Sequence, residues 1–153
     1  MHSRIFQVSD KPIEWSDYLK ESDYWDHWFT HQIADYVSDD CDRRDDIDWL
    51  KECIKGVTFE GKGDVVSFKV NSKEAYFTSN FNAFKEAINQ IKDCTIEEFV
   101  NGLRGLWKLK SSYEDKYGFY VDYDGDLMSF DSFIRMCKIN ETYYIGNTID
   151  YHF

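Results

Sequence analysis

Short β-branched and aromatic runs broken by glycine-containing turns restrict this fold more than any other local signal. Val57 to Glu60 and Val65 to Val70 flank Gly61-Lys62-Gly63-Asp64, and Gly118 to Tyr123 and Leu127 to Ser129 flank Asp124-Gly125-Asp126. Thr142 to Ile145 and Thr148 to Tyr151 flank Gly146-Asn147 in the same way. Glycine supplies the positive φ of tight hairpin turns without steric cost, and Asp and Asn tolerate it, so each block predicts two antiparallel strands. Ser3 to Ser9 predicts another strand, closed by Asp10-Lys11-Pro12, with a short helical turn over Glu14 to Lys20. Asn71-Ser72-Lys73 predicts a turn leading into a further antiparallel strand at Glu74 to Thr78.

Between these blocks the apolar period becomes helical. Ser22 can cap a helix in which Trp25, Phe29, Ile33 and Tyr36 recur at spacings of four, four and three. That stripe would face the core and leave Tyr24 at the surface. A second helix is expected from about Asp46 to Ile54, capped by Asp45, stopped by Gly56 and burying Ile47, Leu50, Cys53 and Ile54. Phe81, Phe84, Ile88 and Ile91 predict a helix starting at Asn80 or Asn82. Thr95-Ile96-Glu97-Glu98 matches a capping box, whose helix would run through Phe99, Leu103 and Leu106 to about Lys110. Gly102 and Gly105 interrupt that helix and imply close packing against another element. Phe130 to Cys137 suits a short helix or an irregular strand. The sum is α+β: residues 1–153 as a single globular domain, a mainly antiparallel sheet built from hairpins, with three to five helices packed on one face.

Composition narrows the function classes. A chain of 153 residues with 42% apolar content can bury roughly 68–70% of its unfolded surface, so no disulfide or metal staple is required. A net charge of −11 argues against direct nucleic-acid binding by phosphate neutralisation and against docking on an anionic membrane. No apolar run of 18 residues and no secretory apolar segment occurs, which leads to an expectation of a cytoplasmic chain. Cys41, Cys53, Cys94 and Cys137 form no CxxC pair and are expected to be thiols. No phosphate cradle, dinucleotide fingerprint or serine nucleophile elbow is present, and no cofactor is implied.

His27 and His31 are four apart, with Asp23 and Asp35 extending the row, a spacing at which a helix can hold a metal. This pattern carries the enzymatic alternative, a metal-dependent hydrolase. The residue after His27 is Trp28, so the general-base Glu of HExxH is absent, and a solvated face is the simpler reading. Asp122, Asp124, Asp126 and Asp131 do not fit a calcium loop, because Gly125 comes too early and Phe133 occupies the twelfth position. Asp39, Asp40 and Asp42 would raise the pKa of Cys41, which argues against a nucleophile there.

Charge is unevenly distributed. Residues 1–50 carry 13 acids and 5 bases, whereas the remaining two thirds are close to balanced. Asp35, Asp39, Asp40, Asp42, Asp45, Asp46 and Asp48 fall within fourteen positions. Asp45, Asp46 and Asp48 suit the start of a helix, whereas Asp35, Asp39 and Asp40 would oppose the dipole at the end of the preceding one. The leading functional expectation is therefore a non-enzymatic protein-binding module or inhibitor that engages a basic protein surface, in the manner of a nucleic-acid mimic. Its contact residues would be Asp35, Asp39, Asp40, Asp42, Tyr24 and Trp28. A structural or oligomerisation subunit using an exposed strand edge or aromatic patch is the remaining alternative.

Overall fold

The computed structural model describes all residues 1–153 and contains seven strands and six α-helices. The strands are β1 (His2–Ser9), β2 (Tyr36–Ser38), β3 (Val57–Lys62), β4 (Val65–Val70), β5 (Tyr120–Tyr123), β6 (Asp126–Ser129) and β7 (Thr142–His152). The helices are α1 (Trp28–Gln32), α2 (Arg43–Cys53), α3 (Lys73–Lys92), α4 (Ile96–Asn101), α5 (Arg104–Tyr113) and α6 (Phe130–Met136). One sheet runs β3-β4-β7-β1-β5-β6, with β2 paired to the last residues of β7 beyond the end of β4. All pairings are antiparallel except β1 with β5. The α+β class therefore holds, with one helix more than expected.

Two of the three expected hairpins form. Lys62 pairs with Val65 across Gly63-Asp64, and Tyr123 pairs with Asp126 across Asp124-Gly125. Both Asp124 and Gly125 have positive φ, as a type I′ turn requires. The hairpin expected at Gly146-Asn147 does not exist, because β7 continues through it as one eleven-residue strand. Phe6 pairs with Thr148 but Val8 pairs with Ile145, so Gly146 and Asn147 together face Gln7 alone. This is a β-bulge. Gln7 Oε1 accepts hydrogen bonds from the Asn147 and Leu19 backbone N–H groups, and it lies 2.3 Å from where a Cβ at Gly146 would sit. Glycine at this position is thus required by a close approach rather than by a turn.

The bulge decides how the sheet is covered. An extra residue inverts the facing of everything beyond it. Tyr143 and Ile145 accordingly join a core with Phe6, Val8, Phe68, Val121, Phe130 and Phe133, while Ile149 and Tyr151 join a second core with Ile5, Tyr24, Phe29 and Tyr120. Helices α2 and α6 bury Ile47, Leu50, Phe133 and Ile134 in the first core, and the segment from Leu19 to Val37 covers the second. The expectation of helices on one face is therefore corrected, since both faces are covered.

Three helical expectations also change. Glu74 to Thr78 is the start of α3 rather than a strand, because the Ser72 hydroxyl caps the Ala75 N–H and the helix runs on uninterrupted to Lys92. Helix α2 begins three residues before the expected start, capped by Asp42, which accepts from the N–H groups of Arg44 and Asp45. The capping box at Thr95 forms as expected, but Gly102 at φ 106° ends α4 and a new helix starts at Arg104. Gly105 is buried against α3, where a Cβ would lie 2.9 Å from Ile91 Cγ1. The packing that excuses this helical glycine is therefore present.

Candidate functional site

The helix expected from Ser22 to Tyr36 is broken into pieces, and this determines which side chains the acidic segment presents. Residues Glu21–Tyr24 form a 3-10 turn, His27 caps α1 by accepting from the Phe29 N–H, and Tyr36 enters β2. The apolar period therefore restarts. Tyr24, expected at the surface, is 2% exposed and donates its hydroxyl to Asp122 Oδ2 at 2.8 Å. Burial, followed by the charge and hydrogen bond of Asp122, holds its phenol above the ordinary range. Trp25 and Tyr36, expected in the core, are exposed. Tyr24 is thus corrected from partner contact to core residue.

Trp28 remains at the surface, and Trp15 and Trp25 are also there. Indeed all five tryptophans are 37–81% exposed, although tryptophan is highly buried on average. Three of the five fall within residues 15–28, on the outer side of the segment whose Tyr24 and Phe29 seal the second core. In the same stretch of sequence, residues 11–40, Glu14, Asp17, Asp23, Asp26, Asp35, Asp39 and Asp40 are exposed, against the bases Lys11 and Lys20.

The individual aspartates divide by task. Asp42 is a helix cap. Asp46 is buried in an ion pair with Arg4 and accepts from Thr148 Oγ1, and it serves the interior rather than the surface. Asp39 accepts weakly from the Glu21 N–H, and exposed Asp35 lies 2.7 Å from the His152 ring. Asp39 and Asp40 follow a strand rather than a helix, so the expected conflict with a helix dipole does not arise. The remaining peculiarity of the segment is the density of exposed tryptophan among carboxylates, a feature hidden in the sequence because Trp25 fitted an apolar stripe.

The metal-ligand row does not assemble. His27 uses Nδ1 as a cap, Asp23 accepts from the Lys20 N–H, and Asp35 turns to His152. No three His, Cys, Asp or Glu side chains are placed to share a cation anywhere in the chain.

Elsewhere, a cleft of about 710 Å³ between α3 and α6 contains Tyr76, Ser129 and Asp131. The Tyr76 hydroxyl donates to Asp131 Oδ1 at 3.0 Å, and the Asp115 N–H lies 3.4 Å from Oδ2. Burial raises the Asp131 carboxyl above its usual range, partly offset by these bonds. A carboxyl in a cleft whose pKa is raised is a candidate general acid. Here both groups are turned on each other and tie α3 to α6, so the pair acts as a structural link.

The surroundings of Cys41 disfavour its thiolate. Its thiol lies 3.3 Å from the Thr148 carbonyl, and burial, reinforced by Asp46, pushes it up to about 11. At pH 8 only about one thiol in a thousand would be ionised, so iodoacetamide should modify Cys41 far more slowly than exposed Cys53. The Cys41 rate should rise about tenfold per pH unit, and a plateau below about pH 9 would contradict the buried, acid-flanked environment.

No family model matches the chain, and neither a curated protein nor a solved structure matches it. No helix is long and apolar enough to cross a membrane.

Proposed function

We propose that this chain is a non-enzymatic binding module whose N-terminal acidic surface engages a basic surface on another protein. The observation that carries the reading is the exposure of Trp15, Trp25 and Trp28 among unburied carboxylates. Tryptophan is enriched in binding hot spots because it brings a large, rigid contact area at low entropic cost. Carboxylates around it steer a cationic partner and accelerate encounter, whereas the aromatic anchors set the lifetime of the complex. Asp42 leaves the proposed contact set because it caps α2, and Tyr24 leaves it because it is core. Asp35, Asp39, Asp40 and Trp28 stay, joined by Trp15 and Trp25.

The test starts from capture at low salt, with the retained protein identified and purified. Replacing Asp35, Asp39 and Asp40 together by Asn is expected to slow association about tenfold at low ionic strength and to flatten its salt dependence. Trp25→Ala should instead accelerate dissociation. Rates unchanged in both variants, with the fold intact by circular dichroism, would refute the reading.

A further inference from the structure

Residues 73–113 form a helical arm that the body of the protein barely covers. Only Ala87 of the twenty residues of α3 is buried, and only Gly105 of the ten of α5. Gly105 packs onto Ala87 and Ile91, which sets α5 along one side of α3. Beside that contact, Phe77, Phe81, Phe84 and Ile88 recur on α3 at spacings of four, three and four. Phe77, Phe81 and Phe84 meet Tyr113 of α5 around a largely apolar groove of about 250 Å³. Leu106, seven residues before Tyr113, extends the same side of α5. Phe81 is 59% exposed, and Ile88, Leu106 and Tyr113 are exposed with it.

The charges bordering this face have the opposite sign to the rest of the molecule. Lys85 lies 5.7 Å above the Phe81 ring, and Arg135 lies over the Phe77 and Tyr113 rings at 4.6 and 4.3 Å. Lys92 follows Ile88 by one helical turn, and Lys110 follows Leu106 in the same way. None of these four cations is among the chain's ion pairs, although the chain carries 29 carboxylates. Helix α5 has no acid, and the two acids of α3 are engaged elsewhere: Glu86 pairs with Lys108, and Glu74 accepts from Ser72 at the first turn. The arm has six bases and five acids, a net charge of +1, which leaves −12 on the remainder.

We infer that the α3–α5 face is a docking groove for an acidic amphipathic helix of another protein. Two packed helices present a trough along their axes, and a third helix can lay its i, i+3, i+4 and i+7 apolar side chains into it. Carboxylates on the flanks of that helix meet Lys85 and Lys92, two turns or about 10.5 Å apart, on one side and Lys110 on the other. A second copy docking through this same face would bring the cationic rim against itself, so charge disfavours symmetric self-association and favours an acidic occupant. This surface is separate from the tryptophan-bearing one and does not depend on its function.

The test uses the full chain and a designed probe, a helical peptide of about 18 residues that spans about 27 Å, comparable with α3. One version carries Leu and Phe on one stripe with Glu on both flanks, and its counterpart carries Lys in place of Glu. Fluorescence anisotropy at about 50 mM salt should show the Glu-flanked peptide binding at least about tenfold more tightly, with the difference shrinking at about 300 mM as screening increases. Lys85, Lys92 and Lys110 are exposed, so their joint replacement by Glu leaves the fold intact and should invert the preference. Phe81→Ser should abolish binding of both peptides, with helicity checked by circular dichroism. Absent binding, or equal binding of the two peptides, overturns the inference. It is also overturned by a concentration-dependent dimer that Phe81→Ser abolishes, or by retention on phosphatidylserine vesicles without peptide preference. The Asp35/Asp39/Asp40→Asn variant serves as control and should bind the Glu-flanked peptide as the parent does, which separates failure here from failure of the acidic surface.

Discussion

Replacing Asp46 by alanine is expected to destabilise the protein by about 1–3 kcal/mol, because it removes one of the two carboxylates that hold the largely buried Arg4 guanidinium. Arg4 spans two acids: Nε meets Asp46 Oδ1 at 2.5 Å, and Nη1 meets Asp150, which also receives His2. Asp46 in turn accepts from Thr148 Oγ1, whose residue is fully buried at the bulge end of β7. Its removal therefore also takes the carboxylate acceptor from the buried Thr148 hydroxyl and leaves it only the Cys41 thiol at 3.4 Å. The network connects α2 to β1 and β7, so chemical denaturation should show a lower midpoint with an unchanged slope. Arg4→Met and Asp46→Leu should be non-additive in a double-mutant cycle, since the two side chains are in direct contact. An Asp46→Ala cost below about 1 kcal/mol would mean that the pair is solvent-screened rather than interior.

The second large effect is expected at Phe29, where truncation to alanine should cost about 3–5 kcal/mol. Phe29 is fully buried, and its ring meets Tyr120 and Tyr151 edge-on at 4.8 and 4.9 Å, with Tyr24 at 6.5 Å. It lies on a five-residue helix that is too short to persist by its own backbone bonds. This side chain therefore anchors the whole tryptophan-bearing segment to the sheet. Loss of the anchor should raise amide exchange over residues 21–38 before it affects β1, β5 or β7. Uniform exchange across the sheet and this segment would show that the two unfold as one unit.

Local chemistry made much of this arrangement legible. Asp124-Gly125 supplies two consecutive positive φ values, so its hairpin required nothing from the rest of the chain. Thr95 and Glu98 satisfy each other's backbone donors within one turn, and the box forms as read. Gly146-Asn147 carries the same kind of signal and means something else. A glycine permits either a turn or a close approach, and here the Gln7 side chain on β1, remote in sequence, settles the choice. Arg43 adds to this by donating to the carbonyls of Ile145 and Gly146.

The candidate surface was only half legible, for a related reason. The spacing of Trp25, Phe29, Ile33 and Tyr36 is helical, but His27 caps a new helix and resets the period, which exchanges Tyr24 and Trp25 between core and solvent. An apolar side chain in a periodic stripe carries no mark of whether its helix is continuous.

Turn chemistry, capping residues and charge distribution are properties of a few neighbouring residues, and they established the α+β class, the two true hairpins and the acidic N-terminal third. Which faces of the sheet are covered, which tryptophans meet solvent and which cations lack partners depend on contacts between distant segments. One added residue at the β7 bulge inverts every side chain beyond it, and only pairing with β1 places that residue.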